Sequence, residues 1–401
     1  MSGAGKKWDV IVVGAGPGGS STAFFLAKAG IQVLLLDRVS FPRDKVCGDG
    51  CTPRTARMLD RLGVRQAVAK DYPRIDRARL VSPGGIVVDS PIPEVAFGGV
   101  GYALPRYVLD NLLLENATRA GAEFRGEKAV RTVESGPGGA AVVLESGERL
   151  AGSFVVGADG AYSVVRRSLG LEPNGAAHGA WAIRAYYEGV EMTAPNAFEI
   201  CWDKELLPAY GWLFPVGPGR ANVGLGLRTD HLKRLDRKLP DLFEEFLRRD
   251  PNIGAELKNA RLIGKPRGHF LPLGSQLPRT YGERVVLVGD AASFINPLSG
   301  EGIEFALESG ELAAATLAEG LRRGEFSASF LKGYEKGWRK AFGHTLRVNT
   351  RLQWFFQFPR MVDRIFRVAN RDERTKNELA DLILGDRRRL SLRLIWKFLF
   401  G

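Results

Sequence analysis

The 401-residue chain has little cysteine and little histidine, three and four residues respectively. Cys47, Cys51 and Cys201 are too few, and odd in number, for a disulfide framework, so we expect a reducing compartment and by default the cytoplasm. The histidines are scattered, with no HxH or HExxH spacing. The CxxxC pair formed by Cys47 and Cys51 has no further ligand nearby, so no metal site is predicted.

Long hydrophobic runs are also missing. No apolar stretch reaches the roughly 18 residues that a membrane-spanning helix needs. The first ten residues, MSGAGKKWDV, lack the apolar centre of a signal peptide and lead directly into a predicted strand. The chain contains neither a GxSxG elbow nor internal repeats. These absences leave a globular protein with two or three structural units and a sizeable core.

Positive charge exceeds negative charge, with a formal net charge of +12 that is concentrated at the C-terminus. Residues 346–401 contain 13 Lys/Arg against 6 Asp/Glu. Bulky apolar residues are interleaved with these charges: Trp354, Phe355, Phe356, Phe358, Leu392, Leu394, Ile395, Trp396, Phe398, Leu399 and Phe400. This pattern disfavours nucleic acid as a partner. It leaves two interpretations open: a membrane-surface dock, or a helical layer whose apolar face packs on the core.

Residues 8–19, WDVIVVGAGPGG, join a buried strand to a glycine-rich turn. The turn fits G-x-G-x-x-G and precedes a predicted helix and a second strand that ends in Asp37. Here Gly14 permits the tight turn, Gly16 lets backbone approach a pyrophosphate, and Gly19 lets the helix pack close to the strand. The helix N-terminus suits that anion, and Asp37 suits the ribose hydroxyls. The sequence therefore predicts a dinucleotide site.

Further along the chain, helical and strand patterns alternate. Helices are predicted at 20–29, 105–120, 239–249 and 302–321, and buried parallel strands at 10–13, 32–36, 154–156 and 284–288. Between them, the apolar/polar alternation of residues 176–273 predicts a half-solvated antiparallel sheet. The predicted fold class is therefore α/β: a Rossmann-like domain with an inserted antiparallel-sheet domain (α+β) and C-terminal helices.

Two more glycine–acid motifs follow predicted strands, GADGAYSVVRR at 157–167 and GDAASFINPLSGEGIEFAL at 289–307. A helix that starts within 299–302 would direct its positive dipole end at the negative charge of a reduced flavin. Asp290 could accept hydrogen bonds from the ribityl hydroxyls. The three motifs in this order, with a sheet inserted between the second and the third, resemble the large FAD-dependent family of aromatic hydroxylases, flavin halogenases and geranylgeranyl reductases.

Local motifs narrow the resemblance, which covers residues 8–345, to the geranylgeranyl reductase type. FPRDKVCGDG at 41–50 is similar to the FPRDKxCGDG loop of those enzymes, among them menaquinone side-chain reductases. YGWLFP at 210–215 matches their Y-x-W-x-F-P, whereas the halogenases carry W-x-W-x-I-P. NPLSGEGIE at 296–304 is also similar to the reductase form.

The resemblance implies three structural regions. The FAD-binding domain would comprise 1–72, 103–172 and 278–345, the substrate-binding sheet domain 73–102 and 173–277, and a basic helical region 346–401. The implied FAD contacts are Gly14, Ala15, Gly16, Gly18, Gly19, Asp37, Arg38, Lys45, Cys47, Gly48, Gly50, Arg106, Val130, Asp159, Gly160, Asp290, Gly300, Gly302 and Ile303.

Cys47, Tyr210 and Trp212 are the implied catalytic residues, and Tyr210, Trp212 and Phe214 the implied substrate contacts. Cys47 is either a small residue packed under the flavin or a thiol that tunes the flavin or relays a proton. Tyr210 and Trp212 share one face of a predicted strand, as a pocket wall or as part of the core.

The implied activity is FAD-dependent saturation of C=C bonds in the prenyl chain of an isoprenoid lipid, of menaquinone or geranylgeranyl type, by hydride transfer from reduced flavin. Since no second GxGxxG occurs, the reductant is either transiently bound NAD(P)H or an electron-donor protein of ferredoxin type. The expected location is cytoplasmic, peripheral to the inner face of the membrane. The alternatives are a flavin monooxygenase or halogenase acting on an aromatic metabolite, and a non-catalytic flavin-containing lipid carrier.

Overall fold

The structure is a computed structural model that describes residues 7–92 and 99–384. The strands in this part of the chain are β1 (Trp8–Val13), β2 (Val33–Leu36), β3 (Gly50–Cys51), β4 (Arg77–Val81), β5 (Val87–Pro91), β6 (Tyr102–Ala103), β7 (Glu123–Arg125), β8 (Val130–Gly136), β9 (Gly139–Leu144), β10 (Arg149–Gly157), β11 (Gly179–Glu188), β12 (Ala197–Cys201), β13 (Tyr210–Gly217), β14 (Arg220–Arg228), β15 (Arg261–Pro272), β16 (Tyr281–Gly282) and β17 (Val285–Leu287).

The helices are α1 (Pro17–Lys28), α2 (Pro53–Arg61), α3 (Arg65–Asp71), α4 (Arg106–Arg119), α5 (Val164–Ser168), α6 (Thr229–Leu235), α7 (Leu239–Arg249), α8 (Ile253–Glu256), α9 (Ile303–Arg323), α10 (Ala328–Trp338), α11 (His344–Phe355), α12 (Pro359–Ala369) and α13 (Glu373–Ile383).

The first sheet has the order β16-β17-β10-β1-β2-β7, and the β8–β9 ribbon is attached to β10. Strands β17, β10, β1, β2 and β7 run parallel, with Val12 opposite Leu35 on one side and Val156 on the other. The central strands are buried on both faces, which explains their continuous runs of Val, Ile and Leu. Because the strands are parallel, the loops after their carboxyl ends meet at one edge, which is where ligands bind in such sheets.

The second sheet has the order β15-β11-β14-β13-β12-β4-β5. Its strands pair antiparallel except for β4 with β12, which pair in parallel. The two faces of β13 differ. Leu213 belongs to a hydrophobic cluster with Phe243 and Phe246 of α7, whereas Tyr210 and Phe214 point to the opposite side, towards α12 and α13. The α/β fold with an additional sheet and C-terminal helices agrees with the prediction; the exact domain boundaries remain our proposal.

The C-terminal helices α12 and α13 cover the second sheet. Their apolar side chains and those of the sheet form one buried cluster, which includes Leu80, Val88, Phe198, Ile200, Trp202, Phe356, Val362, Ile365, Phe366, Leu379 and Ile383. Of the two interpretations of the C-terminal region, a helical layer packed on the core therefore applies to α12 and α13. Trp354 and Phe358, in contrast, are exposed, at 57% and 41%. The predicted apolar residues 392–400 lie outside the described residues. In the described part of the chain, no helix is both long and apolar enough to cross a membrane.

Three of the predicted helices start at other positions, α4 and α9 by a single residue each. Helix α1 starts at Pro17 rather than at residue 20, because proline has no N–H to lose at the first helical position and its φ angle fits the helix. Helix α9 starts at Ile303, because Gly300 adopts a left-handed φ of 67° that ends the preceding turn.

Helices α1 and α9 approach each other closely at Gly310. A Cβ atom on Gly310 would lie 2.6 Å from the carbonyl oxygen of Gly18 and 3.0 Å from the amide nitrogen of Thr22. Both are backbone atoms of α1 and cannot move aside independently. We expect Gly310→Ala to lower the free energy of unfolding by about 1–3 kcal/mol, the usual cost of overpacking, as measured by denaturant unfolding of the FAD-loaded protein.

Gly333→Ala in α10 is the matched control. This glycine has no atom within 4 Å of its built Cβ, so we expect alanine to stabilise the helix by up to about 1 kcal/mol. Equal effects of the two substitutions would contradict the close α1–α9 packing.

Candidate active site

One cavity of about 710 Å³ runs from the carboxyl edge of the first sheet to the inner face of the second. Most of the predicted site residues line it: Gly14, Gly16, Gly18, Asp37, Arg38, Lys45, Cys47, Gly48, Gly50, Arg106, Val130, Asp159, Gly160, Tyr210, Trp212, Phe214, Asp290, Gly300, Gly302 and Ile303. Ala15 and Gly19 are not in the lining. Gly19 instead permits a close approach, since a Cβ there would lie 1.8 Å from the Gly14 carbonyl oxygen.

Two helix N-termini border this cavity without a side-chain cap. Helix α1 begins after Gly16 and α9 after Gly302, and neither N-cap residue provides a side-chain hydrogen bond. The first N–H groups of a helix need acceptors and carry the positive end of its dipole. A dinucleotide that places its pyrophosphate at one N-terminus and the electron-rich end of a flavin at the other would satisfy both. This arrangement fits FAD.

Cationic side chains lie beside the N-terminus of α1. Arg106 is 3% exposed and donates from Nε and Nη2 to both carboxylate oxygens of Asp110, at 2.6 and 2.7 Å. Arg43 Nη1 contacts the same carboxylate at 2.8 Å. A Cβ on Gly16 would lie 3.6 Å from Arg43 Nη2 and 3.9 Å from Arg106 Nη2. Two guanidinium groups share one carboxylate, so a positive charge remains for a phosphate.

Asp37 contributes to the shape of the glycine turn. Its Oδ2 accepts a hydrogen bond from the Ala15 amide at 2.8 Å, and its Oδ1 accepts one from the Val39 amide at 3.2 Å. Each oxygen has further acceptor capacity, so a contact to ribose hydroxyls is compatible with these bonds. Arg38 and Val130 line the same end of the cavity.

The acids of the other two glycine motifs, Asp290 and Asp159, already have partners within the protein. Lys45 Nζ lies 2.9 Å from Asp290 Oδ2. Although burial favours the neutral form, Lys45 lowers the pKa of Asp290, which stays ionised. Asp159 accepts hydrogen bonds from the Ser163 hydroxyl and the Val164 amide, at 2.5 and 2.6 Å, so its carboxylate also stabilises the start of α5.

Cys47 lies between the arginines beside the N-terminus of α1 and the aromatic side chains of β13. Burial raises the pKa of its thiol, and Arg106 only partly opposes this, so the thiol form predominates near neutral pH. A thiol can donate a proton, whereas a thiolate nucleophile is disfavoured here.

Tyr210, Trp212 and Phe214 form one aromatic wall, with successive ring centroids 6.2 and 6.3 Å apart. The Tyr210 hydroxyl donates to the Ser299 carbonyl. Gly48 permits the close approach of Trp212, since a Cβ there would lie 3.3 Å from the indole ring.

A buried polar group behind this wall was not predicted from the sequence. Asp49 is 0% exposed, and its Oδ2 accepts hydrogen bonds from the Tyr186 hydroxyl at 2.5 Å and the Asn222 amide at 2.7 Å. Asn222 also donates to the Cys47 carbonyl at 2.8 Å and accepts from Trp212 Nε1 at 3.0 Å. Asp49 thus orients both the Cys47 loop and the indole. The position of Asp49 inside the motif FPRDKVCGDG could have identified it from the sequence, whereas Asn222 lies in no motif.

Asp49 gives a stability prediction that depends on pH. Burial raises its pKa to about 7, although hydrogen bonds from Tyr186 and Asn222 oppose the shift. An unfolded Asp titrates near 3.9, so between about pH 4 and 7 the folded state binds more protons than the unfolded state. Its contribution to stability is therefore complete at low pH and is lost as pH rises through about 7.

Asp49→Asn removes this titration while tolerating the left-handed φ of 63°. We expect the unfolding free energy of the wild type, minus that of the variant, to fall by on the order of 3 kcal/mol between pH 4 and 8. Denaturant unfolding over this range measures the difference. Parallel pH curves for the two proteins would refute the assignment.

Comparisons with known proteins agree with this geometry. The family described as FAD binding domain matches residues 7–347. A menaquinone reductase of Mycolicibacterium smegmatis is 36% identical over 78% of this chain and 76% of its own. A digeranylgeranylglycerophospholipid reductase of Methanopyrus kandleri is 33% identical over 84% of this chain and 88% of its own.

A similar solved structure is a geranylgeranyl bacteriochlorophyll reductase-like protein of Thermoplasma acidophilum, with a TM-score of 0.79, 24% identity and coverage of 98% of this chain and 96% of that one. At this identity the likeness shows the shared fold. The family match covers most of the chain, and the two reductases exceed 30% identity over more than three quarters of it. The chain therefore belongs to the FAD-binding oxidoreductase family.

Proposed function

We propose that this protein saturates C=C bonds in the prenyl chain of an isoprenoid lipid, of menaquinone or geranylgeranyl type, with FAD as its cofactor. The observation that carries the proposal is the continuity of the cavity, which joins the anion-binding end directly to an apolar end. Relatives named for menaquinone and digeranylgeranylglycerophospholipid reduction support the same chemistry.

The apolar end of the cavity is suited to a long hydrocarbon chain. Its lining includes Phe198, Ile200, Leu298, Ile383 and Leu384, contributed by the second sheet, the loop before α9, and α13 together with the residue that follows it. Burying a polyprenyl chain there is favourable by roughly 0.8 kcal/mol per CH₂ group. A small polar aromatic substrate would leave much of this surface unused.

The bound FAD supplies a hydride, and the chain supplies the surroundings of the alkene. An isolated alkene accepts a hydride poorly unless positive charge develops on its more substituted carbon. The ring faces of Tyr210 and Trp212 border the cavity and can stabilise such a charge through their π electrons. The Cys47 thiol, in its neutral form, adds no negative charge beside the cofactor.

The alternative activity is oxygenation or halogenation of an aromatic metabolite on the same FAD scaffold. Tyr210 stands where the halogenase motif has tryptophan, and the hydrocarbon-lined end of the cavity favours the reductase. A non-catalytic lipid carrier would contain a flavin that no donor reduces. We propose transiently bound NAD(P)H or a ferredoxin-type protein as the electron donor, since a second dinucleotide motif is missing from the sequence.

Mass spectrometry of prenyl lipids tests the activity. The FAD-loaded protein is reduced anaerobically with dithionite and mixed with menaquinone and geranylgeranyl lipids. We expect a mass gain of about 2 Da for each saturated bond. No gain from protein whose flavin is visibly bleached, followed by oxygenated or halogenated product in air, would establish the alternative instead.

Trp212→Leu is the matched variant for this experiment. We expect it to retain FAD and to lose about tenfold in the rate of reduction, as the cation–π contribution implies. Trp181→Leu makes the same change on β11 at a position outside the cavity lining, and should reduce lipid at the wild-type rate. Equal rates for the two variants would show that Trp212 has no role in the reaction.

We further propose that the protein docks on the inner face of the membrane through α11 and the residues after it. Trp354, Phe355 and Phe358 form an exposed or half-exposed aromatic group, with Trp354 5.1 and 5.2 Å from its two partners. Arg347 and Arg351 are exposed and share the helix face of Trp354 by their spacing. Basic and aromatic side chains together suit an anionic lipid interface.

Vesicle sedimentation tests the dock. We expect the double substitution Trp354→Ser/Phe358→Ser to reduce binding to vesicles that contain phosphatidylglycerol several-fold while FAD content stays unchanged. Tyr107→Ser on α4 removes an equally exposed aromatic, 54% accessible, and should bind as the wild type does. Equal binding by both variants would leave no role for this group.

A further inference from the structure

A second buried acidic group borders the cavity, and the proposed function so far leaves it without a role. Glu301 lines the cavity in the loop before α9, and its neighbour Glu304 is 1% exposed in the first turn of that helix. The Thr52 hydroxyl lies 2.5 Å from Glu301 Oε1 and 3.3 Å from Glu304 Oε2. Glu304 is close enough to Glu301 for its like charge to raise the pKa of the Glu301 carboxyl group.

The positive charge that contacts this acidic group is shared between carboxylates. Arg54, 2% exposed, contacts both Glu304 at 3.6 Å and Glu308 at 3.2 Å. A hydroxyl has a single proton, so Thr52 can donate to one carboxyl at a time. Among the residues that the structure describes, no donor contacts the buried Glu301 Oε2. A proton held by the carboxyl pair resolves this arrangement.

The surroundings of Glu301 favour its neutral form. Burial and the like charge of Glu304 raise the pKa of Glu301 well above its ordinary value, whereas Thr52 and Arg54 oppose the shift less strongly. Arg54 contacts Glu304 directly and so favours the ionised form of that residue. The Tyr210 hydroxyl donates to the carbonyl of Ser299, two residues before Glu301, which places this loop beside the aromatic wall.

We propose that Glu301 is the carboxylic acid that protonates the alkene. The proposal rests on the proposed function. In the step, the alkene π electrons form a C–H bond to the Glu301 proton, and the Glu301 O–H bond breaks to leave a carboxylate. The other alkene carbon accepts a hydride from reduced FAD, which becomes oxidised. The product has gained two hydrogens and the charges balance. Glu301 regains its proton from water before the next turnover.

Infrared spectroscopy of the FAD-loaded protein tests the protonation state without reference to turnover. At pH 7 we expect the carbonyl stretch of neutral carboxylic acids to lose intensity in Glu301→Gln, while the part contributed by Asp49, whose pKa is about 7, remains. Glu311→Gln changes a carboxyl on α9 that pairs with Arg61 outside the cavity, and should retain the full intensity. A spectrum unchanged in Glu301→Gln would show that Glu301 is ionised and would overturn the proposal.

Reoxidation of reduced FAD by a prenyl lipid tests the role in the reaction. We expect Glu301→Gln to be reduced normally by dithionite but to react with the lipid on the order of 100-fold more slowly, as for loss of a general acid. Glu311→Gln should react as the wild type. The assignment would be overturned if Glu301→Gln reacted at the normal rate. It would also be overturned if Cys47→Ser lost the 100-fold in rate and Glu301→Gln did not. If the wild type itself reduces no prenyl lipid, the proposed function fails, while the infrared result still decides the protonation state.

Glu304→Gln provides a second test if Glu301→Gln loses FAD or fails to fold. Removing the like charge should lower the pKa of Glu301, so the reaction rate should be lost at a pH at least one unit lower than in the wild type. A merely structural acid pair would change melting temperature without moving the pH profile. An unshifted profile would contradict the proposed donor.

Discussion

The loop of residues 43–50 is tied to both sheets by charged side chains, and the shape of the cavity depends on this double attachment. Towards the first sheet and its helices, Lys45 pairs with Asp290 and Arg43 with Asp110. Towards the second sheet, Asp44 accepts two hydrogen bonds from Arg184 Nη2, at 2.6 and 2.7 Å. Such partly exposed ion pairs contribute little to stability by themselves, but together they fix the loop at three points. The loop can therefore present Cys47 and Gly48 at a defined place between the cofactor end and the aromatic wall.

The charge of the lining falls from positive to nearly neutral along the cavity. Beside α1, Arg106 and Arg43 leave a net positive charge for phosphate. Near α9, the neutral Cys47 thiol and the protonated acid proposed at Glu301 would leave few fixed negative charges close to a reduced flavin. Beyond Trp212 the lining includes the hydrocarbon side chains of Ile200, Leu298 and Ile383. Such a gradient would orient two elongated ligands, with the anionic cofactor at one end of the cavity and the lipid chain at the other.

The sequence was informative wherever the physical signal is local. A strand, a glycine turn and an acid within 30 residues predicted the dinucleotide end, and the alternation of Tyr210 and Trp212 predicted that they share a face. Contacts between distant segments could not be predicted in this way. Asn222 lies 173 residues from Asp49 and belongs to no motif, yet it orients Trp212.

The basic and aromatic composition of the C-terminal segment is compatible with packing on the core and with exposure at the surface, and its described helices contain both arrangements. Residues 359–383 follow the basic, aromatic pattern but bury their apolar faces on the second sheet, where Ile383 reaches the cavity. On α11, Gln353 lines the cavity and donates to the Pro297 carbonyl, while the next residue, Trp354, is exposed. One helix thus connects the hydrocarbon end of the cavity with the surface proposed to contact lipid. A substrate that resides in a membrane requires such proximity, because each CH₂ group exposed to water during transfer costs roughly 0.8 kcal/mol.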